Sequence, residues 1–260
     1  DFEALVQNMT NLRELQLAFV NISSSVPQSL VNLSSLTSLS LSNCSLHGQF
    51  PTNIFLMPKL QTIDLFNDLL TGFLPEFHSG SSLEKLDLSY TSFSGKLLNS
   101  IANLESLIEL DLSYTTFSGE IPNAIGNLKS LNILDLKECN LSGEVPLAIW
   151  NLTRLSSLSL AGNNFHGQLP STLGNLANLT SLFLYGNLFH GEIPSSLGNL
   201  TQLEYLFLSN NSFDGKLPVS LTNLTQLQQI DLSQNQLIGQ ILFEIGRFPQ
   251  LWKIDLSSNS

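Results

Sequence analysis

The sequence predicts an α/β solenoid over residues 1–260 whose inner wall is a parallel β-sheet of about eleven short strands. Three observations carry this prediction. A 24-residue period runs along the chain, leucines alternate with polar residues over a strand-length stretch of each period, and Asn, Gly and Pro recur at fixed offsets behind them. Self-similarity at such a period marks stacked units, each burying its apolar face only against its neighbours.

The cleanest unit is Leu179–Leu200, LTSLFLYGNLFHGEIPSSLGNL. Moving 24 residues in either direction returns the same pattern, and the starting leucines are Leu12, Leu36, Leu60, Leu83, Leu107, Leu131, Leu155, Leu179, Leu203, Leu227 and Leu251. Ten full units and a truncated eleventh result. The step from Leu60 to Leu83 is 23 residues, and there PEFHSGSS stands where other units carry PxxLGNLxx, so Phe77 is expected to replace the missing leucine wedge with a local kink.

In each unit the LxLxx segment has period two, which reads as a short strand with one buried face. Stacked at about 4.8 Å, eleven such strands span roughly 50 Å. The chain must then turn away from the strand inside the coil, leaving main-chain groups that need partners. An inward Asn can supply them to its own unit and the next, giving a ladder at Asn163, Asn187, Asn211, Asn235 and Asn259. In the first half the same column holds Val20, Cys44, Asp68, Thr91, Thr115 and Cys139, so that half is expected to be less regular and less stable. Asp68 is the candidate for a perturbed carboxylate, because burying an ionised, unpaired acid is costly. Behind the ladder come a Phe column (Phe93, Phe117, Phe165, Phe189, Phe213) read as a stacked spine, and a Gly column expected to need positive φ or close approach. A Pro column fixes an extended stretch. Leu98 and Leu242 interrupt that column without expected loss of fold.

Charged residues make up 12% of the chain, and the net charge of −11 excludes a nucleic-acid partner, whose phosphates require a basic face. No apolar run approaches the roughly 20 residues needed to cross a bilayer, so no membrane contact by this segment is expected. Asp1 opens without a basic and apolar leader, and the chain reads as a mature product or an internal fragment.

The unit LxxLxLxxNxFxGxIPxxLGNL resembles the plant-specific subclass of extracellular leucine-rich repeats, found in receptor-like proteins, leucine-rich-repeat receptor kinases and polygalacturonase inhibitors. The resemblance covers essentially all of the chain, and the wording LPEFHSGSSLEKLDLSYTSFSG is most similar to receptor-like proteins. It implies a right-handed superhelix, a second short strand at the GxIP segment, and 3₁₀ or short helical turns outside. It also implies an ectodomain that recognises a peptide or secreted protein on its concave face, with a co-receptor kinase docking near the C-terminal units. Such ectodomains carry cysteine-paired caps, whereas this chain has only Cys44 and Cys139. These lie four units apart, roughly 19 Å by strand spacing, far beyond disulfide reach. With neither cap present, the chain reads as the middle of a longer ectodomain.

Asn-x-Ser/Thr sequons occur at Asn8, Asn21, Asn32, Asn43, Asn140, Asn151, Asn178, Asn199, Asn210 and Asn223. Glycans are expected at Asn151, Asn178, Asn199 and Asn223, on equivalent or adjacent outer positions. They suit a cell-surface protein that has passed through the secretory pathway.

Function is expected on the inner face. The middle column of the strands runs Gln16, Ser40, Asp64, Asp87, Asp111, Asp135, Ser159, Phe183, Phe207, Asp231 and Asp255. Glu84, Glu109 and Glu138 flank the four consecutive Asp, opposed by Lys85 and Lys137 alone. Like charges about 5 Å apart raise one another's pKa and attract cations, so a basic ligand segment is the natural complement. Further along, Phe183, Tyr185, Tyr205 and Phe207 are expected to form one exposed aromatic patch beside Gly186, and Tyr90 and Tyr114 a smaller pair. No role falls to Trp150 or Trp252.

Catalytic readings fare poorly. No acidic pair, phosphate loop or activated nucleophile is legible, and no cofactor is expected. His166 and His190 stack in one outer column, which makes at most an adventitious metal site. A secreted polygalacturonase-inhibitor-like protein is the alternative to a receptor ectodomain, and the absent cysteine caps count against it. A structural or ice-binding solenoid would need a regular array of Thr, which the irregular columns lack.

Overall fold

The computed structural model describes residues 2–239 and 248–260. After a five-residue α-helix, Phe2–Val6, the described residues form a coil with two walls. The inner wall is a parallel sheet of eleven three-residue strands: Glu14–Gln16, Ser38–Ser40, Thr62–Asp64, Lys85–Asp87, Glu109–Asp111, Ile133–Asp135, Ser157–Ser159, Ser181–Phe183, Tyr205–Phe207, Gln229–Asp231 and Lys253–Asp255. Each strand pairs with the next in the register that superposes the repeat, as in Asp87↔Asp111 and Phe183↔Phe207. The strands are short because only the central leucine faces the core, as Leu86, Leu110 and Leu182 do with no exposed surface.

A second set of strands lies across the core. They occupy the xFxG segment and stop before the Ile-Pro pair, one step earlier than the family resemblance placed them, because the proline that follows has no amide to donate to a ladder. They form two four-stranded blocks: His47–Gln49, Leu69–Gly72, Ser92–Gly95 and Thr116–Phe117; then Ser142–Glu144, Asn164–Gly167, Leu188–Glu192 and Ser212–Asp214. Between the blocks a single bridge joins Gly119 to Leu141. From Gly95 onward the glycine of this segment lies under a side chain of the preceding unit, whereas Gly72 lies against Phe93 of the following one. A Cβ at Gly143 (φ +89) would sit 2.8 Å from Glu120 Cγ, so this position accepts neither a side chain nor its backbone conformation.

3₁₀ turns complete the units, as in Ser171–Asn175, Ser195–Asn199 and Val219–Asn223, each entered from an extended proline. Leu98 takes the proline's place before Asn99–Asn103 with φ −87° and ψ 158°, so the turn survives the exchange. Leu242 lies outside the described residues. In the 23-residue unit the outer 3₁₀ turn is missing, and Phe77, 3% exposed, packs into the core while its carbonyl accepts a hydrogen bond from Asn103 Nδ2 at 2.8 Å. The Phe column is buried throughout, but within it Phe189 and Phe213 alone stack in the described residues (6.1 Å, 10°), since Leu141 separates Phe117 from Phe165.

The inward asparagines reach back to the preceding unit rather than on to the next. Asn187 Nδ2 donates to Leu160 O of the preceding unit (2.9 Å) and to Leu184 O and Tyr185 O of its own (3.1 and 3.3 Å). Its Oδ1 accepts the Phe165 amide at 3.0 Å. Asn163, Asn211, Asn235 and Asn259 repeat this set. In the first half the bonds are fewer: Thr91 and Thr115 each donate to one carbonyl, Leu88 O and Leu112 O, at 2.5 Å. Cys44 and Cys139 are free, buried thiols that donate to Leu17 O and Leu112 O at 2.9 Å. Burial pushes the Cys139 thiol up to about 11.

Candidate ligand-recognition face

The strand alternation that buries the leucines puts the residues on either side of them on the inner face. Register then fixes their neighbours: Asp64, Asp87, Asp111 and Asp135 lie side by side on four consecutive strands. Each aspartate first serves its own turn. Asp87 Oδ1 accepts the Ser89 amide (3.0 Å) and hydroxyl (2.5 Å), Asp111 Oδ1 accepts the Ser113 amide (2.9 Å), and Asp135 Oδ1 accepts the Lys137 amide (2.9 Å). At Asp64 both oxygens are used, Oδ1 by the Phe66 amide (3.2 Å) and Oδ2 by the Ser40 hydroxyl (3.2 Å). Burial, ahead of the neighbouring carboxylates, pushes Asp87 up to about 6 and also raises Asp111 and Asp135. This corrects the expectation that mutual repulsion would dominate: the row is half-sunk in the sheet, so lost hydration outweighs like charge.

The two lysines behave differently. Lys85 pairs with Glu109 (2.8 Å) and more loosely with Asp87 (4.0 Å), in the register that sets Lys85 opposite Glu109. Lys137 pulls the Asp135 carboxyl down but, among the described residues, makes no ion pair with the acidic row. Its Nζ lies over the Tyr114 ring (4.9 Å to the centroid) and the Tyr185 ring (5.5 Å). Burial would lower the ammonium, but the hydrogen bonds to the two tyrosines outweigh it and hold Lys137 above the ordinary lysine range. Glu138, exposed, lies over Gly162 and away from the aspartates.

An aromatic ridge runs along the same border of the face. Phe66 meets Tyr90 edge-on at 5.6 Å, Tyr90 stacks on Tyr114 at 4.3 Å and 24°, and Lys137 carries the line across to Tyr185. Tyr185 then meets Phe207 at 6.5 Å, and Phe207 meets Phe183 at 5.2 Å. The four-residue patch read from the sequence divides here. Phe183, Tyr185 and Phe207 cluster, whereas Tyr205 turns to Gln228 and donates its hydroxyl to Oε1 at 3.2 Å. All four are half-buried rather than fully exposed, because the rings cover one another. Phe66 escaped the sequence reading, and Lys137 was read there only as a counter-charge; following the two columns after the third leucine from unit to unit is the signal that places both in the ridge.

The sequons fall in three settings. Asn32, Asn151, Asn199 and Asn223 are exposed at the ends of 3₁₀ turns; Asn178 is exposed and donates to Thr153 O at 2.8 Å; Asn8, Asn21, Asn140 and Asn210 are exposed elsewhere. Asn43 differs. Its Nδ2 is buried and its Oδ1 accepts from Asn67 Nδ2 at 2.6 Å, so the atom that would carry a glycan is not presented. Trp150 is 1% exposed and Trp252 67%. Among the described residues no three His, Cys, Asp or Glu side chains gather as metal ligands, and no helix is long and apolar enough to cross a membrane.

A stacked parallel sheet with an asparagine ladder, outer 3₁₀ turns and a side-chain-rich inner face defines a leucine-rich-repeat protein, and the chain belongs to that family. A model of the leucine-rich repeat region matches residues 66–186, and two models of the single repeat match 177–237 and 35–57. The relatives are plant receptors. Receptor-like protein 6 of Arabidopsis thaliana is 46% identical over 104 residues, 40% of this chain and 10% of its own length. Receptor-like protein Cf-9 of Solanum pimpinellifolium is 40% identical over 111 residues, 41% of this chain and 12% of its own. These matches thus span about a tenth of the relatives' length. Among solved structures, the Arabidopsis receptor kinase HAESA, in complex with the peptide hormone IDA and the co-receptor SERK1, superposes with a TM-score of 0.91 at 37% identity, over 98% of this chain and 43% of that one. The chain thus resembles the leucine-rich-repeat region of plant receptors, a region that itself serves no catalysis in that class.

Proposed function

We propose that residues 1–260 form one solenoid of the ectodomain of a plant cell-surface immune or developmental receptor, and that the inner face from Asp64 to Phe207 binds a peptide or secreted protein. The observation that carries this reading is the ridge Phe66–Tyr90–Tyr114–Lys137–Tyr185–Phe207–Phe183 running beside the row Asp64–Asp135. Aromatic rings on a neutral polar surface are the usual anchors of a protein contact. The aspartate row, with Glu109, suits a basic segment of the same ligand. Six strand spacings separate Asp64 from Phe207, about 29 Å, the reach of roughly nine extended residues. A relative solved with a peptide hormone and a co-receptor supports such partners; in this reading a co-receptor kinase docks near the C-terminal units. Glycans at Asn151, Asn178, Asn199 and Asn223 suit passage through the secretory pathway to the cell surface.

The test is capture of apoplastic peptides by the wild-type chain and by the Phe183→Ala/Tyr205→Ala pair, with mass-spectrometric comparison. Peptides enriched by the wild type and lost from the variant support the reading. Equal capture by both, or recovery of a polygalacturonase whose activity is inhibited, sinks it.

A further inference from the structure

Asp68 stands in the asparagine ladder and reproduces only half of the ladder's chemistry. Asn163 shows the full set. Its Oδ1 accepts the amides of Cys139 (3.1 Å) and Leu141 (2.9 Å), and its Nδ2 donates to Leu136 O, Leu160 O and Ala161 O at 2.7, 3.0 and 3.1 Å. Asp68, 4% exposed, copies the first half: Oδ1 accepts the amides of Cys44 (3.1 Å) and Leu46 (2.8 Å). The second half fails. Its Oδ2 is buried without a hydrogen-bond partner. By the repeat of the column, the atoms facing Oδ2 are the carbonyl oxygens of Leu41, Leu65 and Phe66, so oxygen meets oxygen where an amide nitrogen would have met it.

An ionised carboxylate at that point is repelled by three dipoles and has no water to turn to. A carboxylic acid carries one hydrogen and donates it to one of those carbonyls. We propose that Asp68 is held as a neutral carboxylic acid whose hydroxyl stands in for the missing amide, and that release of this proton loosens the turn Asn43–Leu46 from the unit that follows it. Asp68 is thus a proton-operated pin between the second and third units.

The titratable groups facing it are the Cys44 thiol of the preceding unit and Asp64 of its own strand; the following unit presents the neutral Thr91. Among the described residues no cation pairs with it. Burial is the largest influence on the carboxyl and raises it from 3.8 to about 6; the two accepted amides pull it down, and Asp64 pushes it up. The folded value lies above the unfolded one, so the fold favours the protonated acid. The pin is closed below about pH 4, opens as pH rises through 6, and stays open above. It also acts on the recognition face, because Asn67 binds Asn43 at 2.6 Å and Phe66 starts the aromatic ridge against Tyr90.

The experiment compares wild type with Asp68→Asn in thermal unfolding from pH 4.5 to 7.5, using the full chain. Because the other acidic residues are common to both, their titration cancels in the difference. The variant is expected to melt about 4–8 °C above wild type at pH 7 and by about a third of that at pH 4.5, where the unfolded acid is already mostly ionised. Amide exchange at Cys44 and Leu46, corrected for intrinsic rate, should be faster in wild type at pH 7 by up to about 100-fold, the ratio set by two pKa units. A melting difference that is absent at pH 7, or that does not change with pH, overturns the proposal. Should the variant fail to fold, carbon-13 titration of Asp68 in the wild type decides, and a midpoint near 3.8 overturns it as well.

Discussion

Lys137 reaches over Ala161 to the ring of Tyr185, 48 residues away in sequence, with its ammonium 5.5 Å from the ring centroid. The contact exists because the residue between them in the column is a methyl group, fully buried beneath the two longer side chains. A cation over two rings contributes roughly 0.5–1 kcal/mol per ring when partly exposed. Lys137→Ala is expected to cost about 1–2 kcal/mol in urea unfolding, and Lys137→Met, which keeps the stem, about half of that. An unchanged midpoint in the alanine variant would show that the ridge gains nothing from the lysine.

Asn187→Ala removes donors to Leu160 O, Leu184 O and Tyr185 O and an acceptor for the Phe165 amide. At about 1 kcal/mol per lost bond, a destabilisation of roughly 3–5 kcal/mol is expected by denaturant unfolding. Thr115→Ala, which loses one bond to Leu112 O, should cost about 1 kcal/mol. Equal losses in the two variants would contradict the ladder's bond-by-bond account.

Asp87 illustrates a conflict between stability and recognition. Burial lifts its carboxyl to about 6, above the unfolded 3.8, so the fold prefers it protonated and loses stability as pH climbs from about 4 to 6. Asp87→Asn should therefore gain about 1–2 kcal/mol at pH 7, about a third of that at pH 4.5, and nothing near pH 3. The same variant should bind hexalysine more weakly at pH 7, measured by calorimetry. Stability and binding that rise together would refute the assignment of Asp87 to a cation-attracting row.

Cys139 donates its thiol to Leu112 O and is pushed by burial up to about 11, and burial raises Cys44 as well. Iodoacetamide at pH 8 is expected to leave both unmodified in the folded chain and to alkylate both in guanidinium. Reaction of either cysteine within minutes under native conditions would mean that its unit opens readily.

Glycan release by an amide-cleaving glycosidase, from chain secreted by plant cells, should convert Asn199 and Asn223 to Asp and leave Asn43 unchanged. Conversion at Asn43 would require its turn to form after glycosylation, since Nδ2 is buried in the folded unit.

Much of the coil was legible because period, buried leucine and turn residue all repeat, so each column could be checked many times over. The 23-residue step announced Phe77, and the lone carboxylate in an amide column announced Asp68. What escaped depends on side chains crossing between units. Lys137 was read as a counter-charge to the acidic row, which it is for Asp135; only the small volume of Ala161 reveals that the stem also leans toward Tyr185. Raised carboxyls at Asp87, Asp111 and Asp135 were expected from repulsion and arise first from burial, since a sequence shows the neighbouring charges and not the depth at which they sit. Tyr205 was grouped with Phe183 by strand position, yet Gln228, one unit further on, offers its hydroxyl a partner.

The two walls of the coil are unequal in continuity. Eleven strands run unbroken on the inner side, while on the outer side two leaves meet at one bridge, Gly119 to Leu141. That bridge is a notch in the second wall between the fifth and sixth units, where the inner ladder alone runs on through three-residue strands. Phe66, Tyr90 and Asp111 stand on the units of one leaf, and Phe183 and Phe207 on the units of the other. Lys137, reaching from the sixth unit to both Tyr114 and Tyr185, spans that notch as a built-in splint, and a ligand gripping both leaves would stiffen the bend it binds.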